Sequence, residues 1–280
     1  MTTESISFHK MHGSGNDFVL IDNRNLKLAE SEMSRWARAI CKRSFGIGSD
    51  GLIFLDDPKP GMCGVDYIWH FFNADGSRAE MCGNGSRCAA FLAHELGMAP
   101  REHVLGTDAG PISARVLPAK GQVRVQLTPL TDLSLSQEIK LGNEGELVLH
   151  SANTGVPHAV IITDHVEKID VPSLGSAVRY HSIFAPAGAN VNFVEVRDSS
   201  SILLRTYERG VEGETYACGT GAAASVAVAN ALGKTGSHVH VTTSGGEHLE
   251  ITLDGDQIFL QGNATLVYQG YFFPHALNLD

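Results

Sequence analysis

The sequence predicts an α/β (α+β) chain built as two pseudo-symmetric halves. Three observations point there. Short strand-like runs broken by glycine turns fill the chain, with only a few helical stretches among them. A C-G-[NT]-G motif occurs twice, at Cys82-Gly-Asn-Gly85 and Cys218-Gly-Thr-Gly221, each followed by a mostly apolar helical stretch that closes on Leu-Gly at the same offset. And 280 residues make roughly two average domains.

In chain order, Ile6–His9 and Phe18–Asp22 read as strands around the turn Gly13-Ser-Gly15. From Ser31 to Lys42, apolar Met33, Trp36, Ala37 and Ile40 share one helical face, with Ser31 as the expected N-cap. Tyr67–Phe72 is strand-like and leads into the first C-G-N-G helix. Val104–Leu105, Ile112–Leu117 and Val123–Leu127 read as a meander that Pro129 interrupts. Leu147–His150, Ala159–Thr163, Val191–Val196 and Ile202–Tyr207 are the strands of the second half, followed by the helix Gly219–Leu232. Strands His238–Thr243, His248–Leu253, Gln257–Gln261 and Leu266–Phe273 close the chain, with Asp254-Gly255 a hairpin signal. The boundaries this suggests are residues 1–128 plus 266–280 for one half and 129–265 for the other.

Composition narrows the function. At 43% hydrophobic and 19% charged the chain can bury a full core. A formal charge of −10 with no basic run argues against nucleic acid as a partner. The first residues show no secretory signal, and no apolar stretch has the length of a membrane span, so a cytoplasmic protein is expected. The five cysteines are odd in number and argue against a disulfide framework. Cys88, inside the first helix, is expected in the core; Cys41 and Cys63 have no motif around them and are expected to be structural.

The repeated unit carries the chemistry. Glycines at 83, 85, 219 and 221 let the backbone turn sharply and leave amide hydrogens pointing outward at a helix start, where they and the helix dipole attract an anion. The cysteine just before each helix lies in the same field, which favours its thiolate. A thiolate can take a proton from one face of a carbon while a thiol returns one to the other face, inverting a stereocentre. Cysteine suits this because proton transfer is most efficient when both pKa values lie near the working pH. Converging amides could hold a carboxylate whose charge grows beside the carbanion, and the scheme needs no metal or cofactor.

Other readings stand beside it. A C-G-x-G cysteine can simply be buried in a tight turn. Gly219-Thr-Gly221-Ala-Ala-Ala is a weak match to a dinucleotide fingerprint, without a buried strand before it. His238 and His240 could share a strand face, but no metal-ligand motif surrounds them. Asn16, Asn73 and Asn190 fit turns as well as ligand contacts. Arg209 is either a surface partner of Glu208 or a bidentate carboxylate clamp. His158 is either structural or a tuner of a nearby thiol.

Taken together the motifs resemble the diaminopimelate epimerase family: Phe8-His-Lys-Met-His-Gly-Ser-Gly-Asn-Asp-Phe18, Gly46-Ile-Gly-Ser-Asp-Gly51, Phe72-Asn-Ala-Asp-Gly-Ser77, Met81-Cys-Gly-Asn-Gly-Ser-Arg-Cys88, Gly155-Val-Pro-His158, Gly188-Ala-Asn190, Tyr207-Glu-Arg-Gly210 and Ala217-Cys-Gly-Thr-Gly221. The resemblance implies two halves, each a curled, mostly antiparallel sheet or barrel around a central helix, with the substrate in the cleft between them. It implies a cofactor-independent epimerase of lysine and cell-wall precursor synthesis that interconverts LL- and meso-2,6-diaminopimelate, with a homodimer as its assembly. Cys82 and Cys218 would be the acid/base pair. Gly83, Asn84, Gly219 and Thr220 would hold the reacting carboxylate. Asn16, Asn73, Asn190 and Arg209 would recognise the distal end, and Glu208 and His158 would adjust the thiols, with Glu208 also touching substrate. Two positions depart from the pattern: many members have Asn at Val156 and Gln at Gly51, which puts distal recognition in doubt. A proline- or hydroxyproline-type two-cysteine enzyme, a phenazine-type isomerase and a non-catalytic amino-acid binding protein are the rival readings.

Overall fold

A computed structural model describes residues 5–141 and 145–279. The elements in chain order are β1 (Ile6–Gly13), β2 (Asn16–Asp22), α1 (Asn23–Leu26), α2 (Glu30–Ile40), β3 (Gly51–Asp56), β4 (Tyr67–Asn73), α3 (Gly83–Glu95), β5 (Glu102–Thr107), β6 (Gly110–Leu117) and β7 (Gln122–Leu127). There follow β8 (Thr131–Lys140), β9 (Glu146–Asn153), β10 (Pro157–Ile162), α4 (Val171–Arg179), β11 (Asn190–Asp198), β12 (Ser201–Glu208), β13 (Gly213–Thr215), α5 (Gly219–Ala231), β14 (His238–Thr243), β15 (His248–Asp254), β16 (Gln257–Asn263) and β17 (Thr265–Phe272). The chain divides into two compact units, Met1–Val125 with Gly262–Asp280, and Gln126–Gln261.

The two units repeat one pairing scheme. In the first, β17 pairs antiparallel with β1 and β1 with β2, β2 runs parallel to β3, β3 is antiparallel to β4, β4 parallel to β5, and β5, β6 and β7 finish antiparallel. In the second, the order β8, β9, β10, β11, β12, β14, β15, β16 shows the same succession of antiparallel and parallel neighbours. The connections match too. A helix joins each first parallel pair (α2 and α4), and a cysteine-capped helix (α3 and α5) leads into the second. Parallel neighbours require such crossovers. Each unit is therefore a mostly antiparallel sheet with its helix at the centre: α3 packs on β1, β2, β3 and β6, and α5 on β9, β10, β11, β12 and β15.

The central strands of the first unit are covered on both faces. Ile53, Leu55, Trp69 and Phe71 pack toward Cys88, Ala89, Leu92 and Ala93 of α3. The alternate residues Leu52, Phe54 and Phe72 meet Met33, Trp36, Ala37 and Ile40 of α2. The four apolar residues expected to form one face of α2 are the four it buries. Its cap differs from expectation. Ala29 is the N-cap, without a side-chain hydrogen bond, and Ser31 lies inside the first turn. In the second unit, Val171 and Val178 of α4 pack with Ala159, Ile161, Val191, Phe193 and Tyr207. The β1–β2 hairpin closes through Ser14 and Gly15, both at positive φ (59° and 80°). Two such residues in a two-residue loop match the twist of the flanking strands.

Candidate active site

The site residues of the first unit gather where three strands and one helix meet. The registers Phe18 opposite Gly51 and Gly51 opposite Asn73 put the start of β2, the start of β3 and the end of β4 at one sheet edge. Cys82 is the N-cap of α3, extended at φ −152° and ψ 117°. Its sulfur accepts the Gly85 N–H at 3.5 Å, and its thiol donates to Asn16 Oδ1 at 3.8 Å. The Asn84 amide donates to the same oxygen at 3.4 Å. Asn16 is held from behind, its own amide nitrogen donating to Asp50 at 2.8 Å, so its carbonyl faces the cysteine. Asn73 shares the sheet edge but bonds Ser77 at 3.0 Å rather than Asn16 or Cys82.

The second unit builds the same cap with different surroundings. Cys218, 7% exposed, caps α5 at φ −120° and ψ 109°. Its sulfur accepts the Gly221 N–H at 3.4 Å and lies 3.5 Å from the Thr220 hydroxyl. Thr154 steadies the turn by donating its hydroxyl to the Thr220 carbonyl at 3.1 Å. Asn190 Oδ1 accepts the backbone N–H of Arg209 at 2.8 Å, which fixes the end of β12. The Arg209 guanidinium reaches the Ala187 carbonyl at 3.5 Å. Burial pushes the Glu208 carboxyl above its usual range, with the Thr215 hydroxyl pulling partly the other way. His158 is wholly buried, and burial with the nearby Arg209 charge pushes its pKa down to about 3.

The motif glycines serve a different purpose from the expected sharp turn. Gly85, Gly219 and Gly221 are not at positive φ; what they provide is room. A Cβ on Gly219 would lie 2.9 Å from Leu260, and one on Gly221 only 2.3 Å from Asn192 Oδ1. The missing side chains seat the first helical turn directly on the sheet, with its amides turned to the sulfur. Gly51 is explained in the same way. A side chain there would meet Phe71 at 2.7 Å and the Phe72 carbonyl at 3.0 Å, so the glutamine common elsewhere has no space here.

Of the other cysteines, Cys88 is in the core as expected. Cys41 is buried beside the Ser49 hydroxyl, and burial pushes its thiol up to about 11. Cys63 is exposed and so is not a core residue. The weak dinucleotide reading finds no support in the strand before α5, because β13 is a short antiparallel partner of β12 rather than a buried parallel strand.

Sequence reasoning missed four residues that organise the site. Asp50 aims Asn16. Arg87, fully buried, donates to Ser14 Oγ at 2.7 Å, Asn84 Oδ1 at 3.0 Å and the carbonyls of Asn263 and Gly83. Thr154 holds Thr220, and Asn192 lies under Gly221. Two of these, Asp50 and Arg87, stand inside motifs already singled out. Asn192 gave a signal of its own, an amide between the apolar Val191 and Phe193 on a buried stretch of strand, where a buried polar group must find partners.

The fold recurs in solved structures. A probable proline racemase from Agrobacterium radiobacter superposes with a TM-score of 0.72 at 16% identity, covering 97% of this chain and 95% of that one. A phenazine biosynthesis protein from Bacillus anthracis gives 0.71 at 15%, covering 96% and 99%. By architecture, then, the chain shares its fold with a protein described as a probable proline racemase and with a phenazine biosynthesis protein. Sequence goes further. The diaminopimelate epimerase family model matches residues 8–131 and 150–267. A diaminopimelate epimerase from a Hydrogenobaculum species is 46% identical over 93% of this chain and 96% of its own length. The Aquifex aeolicus diaminopimelate epimerase is 44% identical over 97% and 99%. The chain belongs to the diaminopimelate epimerase family.

Proposed function

We propose that this chain is an isomerase that interconverts LL- and meso-2,6-diaminopimelate by two-base proton transfer, with Cys82 and Cys218 serving opposite faces of the α-carbon. One observation carries the reading: each unit caps its central helix with a cysteine whose sulfur accepts a backbone N–H of the first turn. In the reaction, one thiolate takes the α-proton and becomes a thiol. The electron pair left on carbon is stabilised as charge on the adjoining carboxylate. The other thiol gives its proton to the opposite face and becomes the thiolate. The enzyme ends with its proton on the other sulfur, and the chemistry calls for no cofactor.

The remaining site residues divide by role. The amides of Gly83, Asn84, Gly219 and Thr220 hold the reacting carboxylate, where fixed donors are worth most as charge develops. Asn16, Asn73, Asn190 and Arg209 take the distal amino-acid end. Glu208, its carboxyl pushed up by burial, sits in the substrate contact set, and His158 adjusts the thiols. Free thiols working as acid and base suit a reducing compartment, and all five cysteines are free, which supports a cytoplasmic enzyme.

As assembly we propose a homodimer. Supporting it, β17 carries no charged residue and leaves Val267, Tyr268 and Tyr271 exposed, with Phe273 just beyond. The proline-type alternative rests on fold likeness at 16% identity, against 46% for a diaminopimelate epimerase.

The test is deuterium wash-in from solvent on each diaminopimelate stereoisomer. Cys82→Ser and Cys218→Ser should each lower epimerisation at least about 100-fold, since serine is far from the working pH as an acid or base. Full exchange in both variants would sink the scheme. Faster turnover of proline than of diaminopimelate would move the substrate to the rival class.

A further inference from the structure

Asn192 lies on β11 with no exposed surface, and its bonding fixes more than its own position. The amide nitrogen is 2.9 Å from the Ala159 carbonyl oxygen and 3.1 Å from His158 Nδ1, while Oδ1 is 3.0 Å from the Thr206 hydroxyl. A carbonyl oxygen only accepts, so the atom facing Ala159 must be the NH2 group. One of its hydrogens goes to Ala159 and the second to His158. His158 Nδ1 is therefore an acceptor without a proton, and the neutral ring carries its hydrogen on Nε2. An imidazolium would set one N–H against another.

The surroundings push the same way. The charge facing His158 is that of Arg209. Its strand neighbours, Ala152 on β9 and Asn190 on β11, are not ionisable. The helix packed on β10 has no ionisable residue from Gly219 to Ala231, only Cys218 at its cap.

The same amide is the floor of the cysteine cap. A Cβ on Gly221 would fall 2.3 Å from Asn192 Oδ1 and 3.2 Å from Cys218 Sγ. The first unit differs at the corresponding place, where Gly85 rests on Ile53 and Trp69, both apolar.

We propose that Asn192 is a positioning residue that locks His158 as the neutral Nε2–H tautomer and seats the Cys218 turn. His158 then stays neutral, its buried Nε2–H without a hydrogen-bond partner among the described residues, and is neither a proton-relay base nor a cationic partner of a thiolate. The polar floor adds to the differences between the two thiols, which already face Asn16 in one unit and the Thr220 hydroxyl in the other. The tautomer follows from the hydrogen bonds alone; its consequence for turnover rests on the epimerase reading above.

The test is 15N NMR of the imidazole nitrogens in the intact chain. Wild type should show a bare Nδ1 and a protonated Nε2, unchanged from about pH 8 to about pH 5. Asn192→Asp replaces the donor with an acceptor, so the proton should move to Nδ1 and the ring should titrate within that range. In the same variant kcat should fall at least about 10-fold with KM changed less, and the rate should gain an acidic limb. A wild-type ring with its proton on Nδ1, or one that titrates near its ordinary value, overturns the proposal whether or not the variant folds. So does Asn192→Asp with an unchanged tautomer. A wild-type chain that fails to turn over diaminopimelate but shows the locked tautomer would instead overturn the functional reading and leave the lock standing.

Discussion

Alanine at Gly221 and alanine at Gly85 should behave oppositely, although the two glycines occupy the same place in the repeat. Neither is at positive φ, so backbone strain does not separate them and the space beneath does. At Gly85 the new methyl would lie 3.3 Å from Ile53 Cδ1 and 3.4 Å from a Trp69 ring carbon. That is tight but adjustable against hydrocarbon, and replacing a helical glycine returns roughly 0.5–1 kcal/mol. Gly85→Ala should stay within about 1 kcal/mol of wild type. At Gly221 the methyl would be 2.3 Å from Asn192 Oδ1, roughly 1 Å inside ordinary van der Waals contact. Asn192 is short, fully buried and tied by bonds to Ala159, His158 and Thr206. Moving it breaks at least two of these. At about 1–3 kcal/mol for each buried group left unpaired, two such groups make Gly221→Ala cost about 2–6 kcal/mol. Thermal unfolding followed by circular dichroism should show a midpoint lower on the order of 10 °C for Gly221→Ala and nearly unmoved for Gly85→Ala. Equal tolerance of both changes would refute the claim that the two floors differ.

Three further outcomes follow from the same structure. His158 is held near 3 in the fold against 6.5 in an open chain. The unfolded state therefore takes the proton first, and stability that is complete above about pH 6.5 should decline toward pH 3 by up to roughly 1.4 kcal/mol per pH unit; His158→Gln should flatten that part of a urea-midpoint-versus-pH curve, and an unchanged curve would count against the burial. Arg87→Met should destabilise the first unit by roughly 3–5 kcal/mol, because Ser14 and Asn84 lose a buried charged donor; hydrogen exchange should report it first at the start of α3 and in the β1–β2 hairpin. Val267→Glu with Tyr271→Glu, both on the exposed surface of β17, should yield monomers in sedimentation velocity where the proposed homodimer predicts a wild-type dimer, and a monomeric wild type would rule the dimer out.

How legible each element was depended on its environment. The four buried residues of α2 are apolar at helical spacing beside a solvated face, so their period could be read directly. Strand β3, Gly-Leu-Ile-Phe-Leu-Asp, gave no alternation because it is covered on both sides: Leu52 and Phe54 face α2 while Ile53 and Leu55 face α3. A run of that kind cannot be assigned by period. β8 failed for the opposite reason. It is largely exposed, its register breaks twice, and Asp132 and Ser136 are at positive φ, so little burial is written into its sequence. At the site, the cysteine caps were visible because a helix start needs particular residues in a particular order. Asp50, Arg87 and Asn192 act through distance in space rather than spacing in sequence, and that is fixed only once the strands are in register.

The repeat constrains what each half could become. A shared order of parallel and antiparallel neighbours means that the crossover into α3 and the crossover into α5 arrive at equivalent points of equivalent sheets, each ending in a cysteine cap. That much symmetry suits a reaction that inverts a centre, since each direction needs the same chemistry from the opposite side. It does not require equal thiols, because the substrate itself is not symmetric about the carbon that changes hand. The backbone retains the repeat, and the floors depart from it. Arg87 has Ala223 at the equivalent position of α5, while Asn192, Thr206 and His158 lie beneath one cap where Ile53 and Trp69 lie beneath the other. A buried polar network is costly unless every member is satisfied. One kept under a single cap adds to the difference between the two thiols, and under the proposed two-thiol scheme exchanging the floors should alter the ratio of forward to reverse proton-exchange rates.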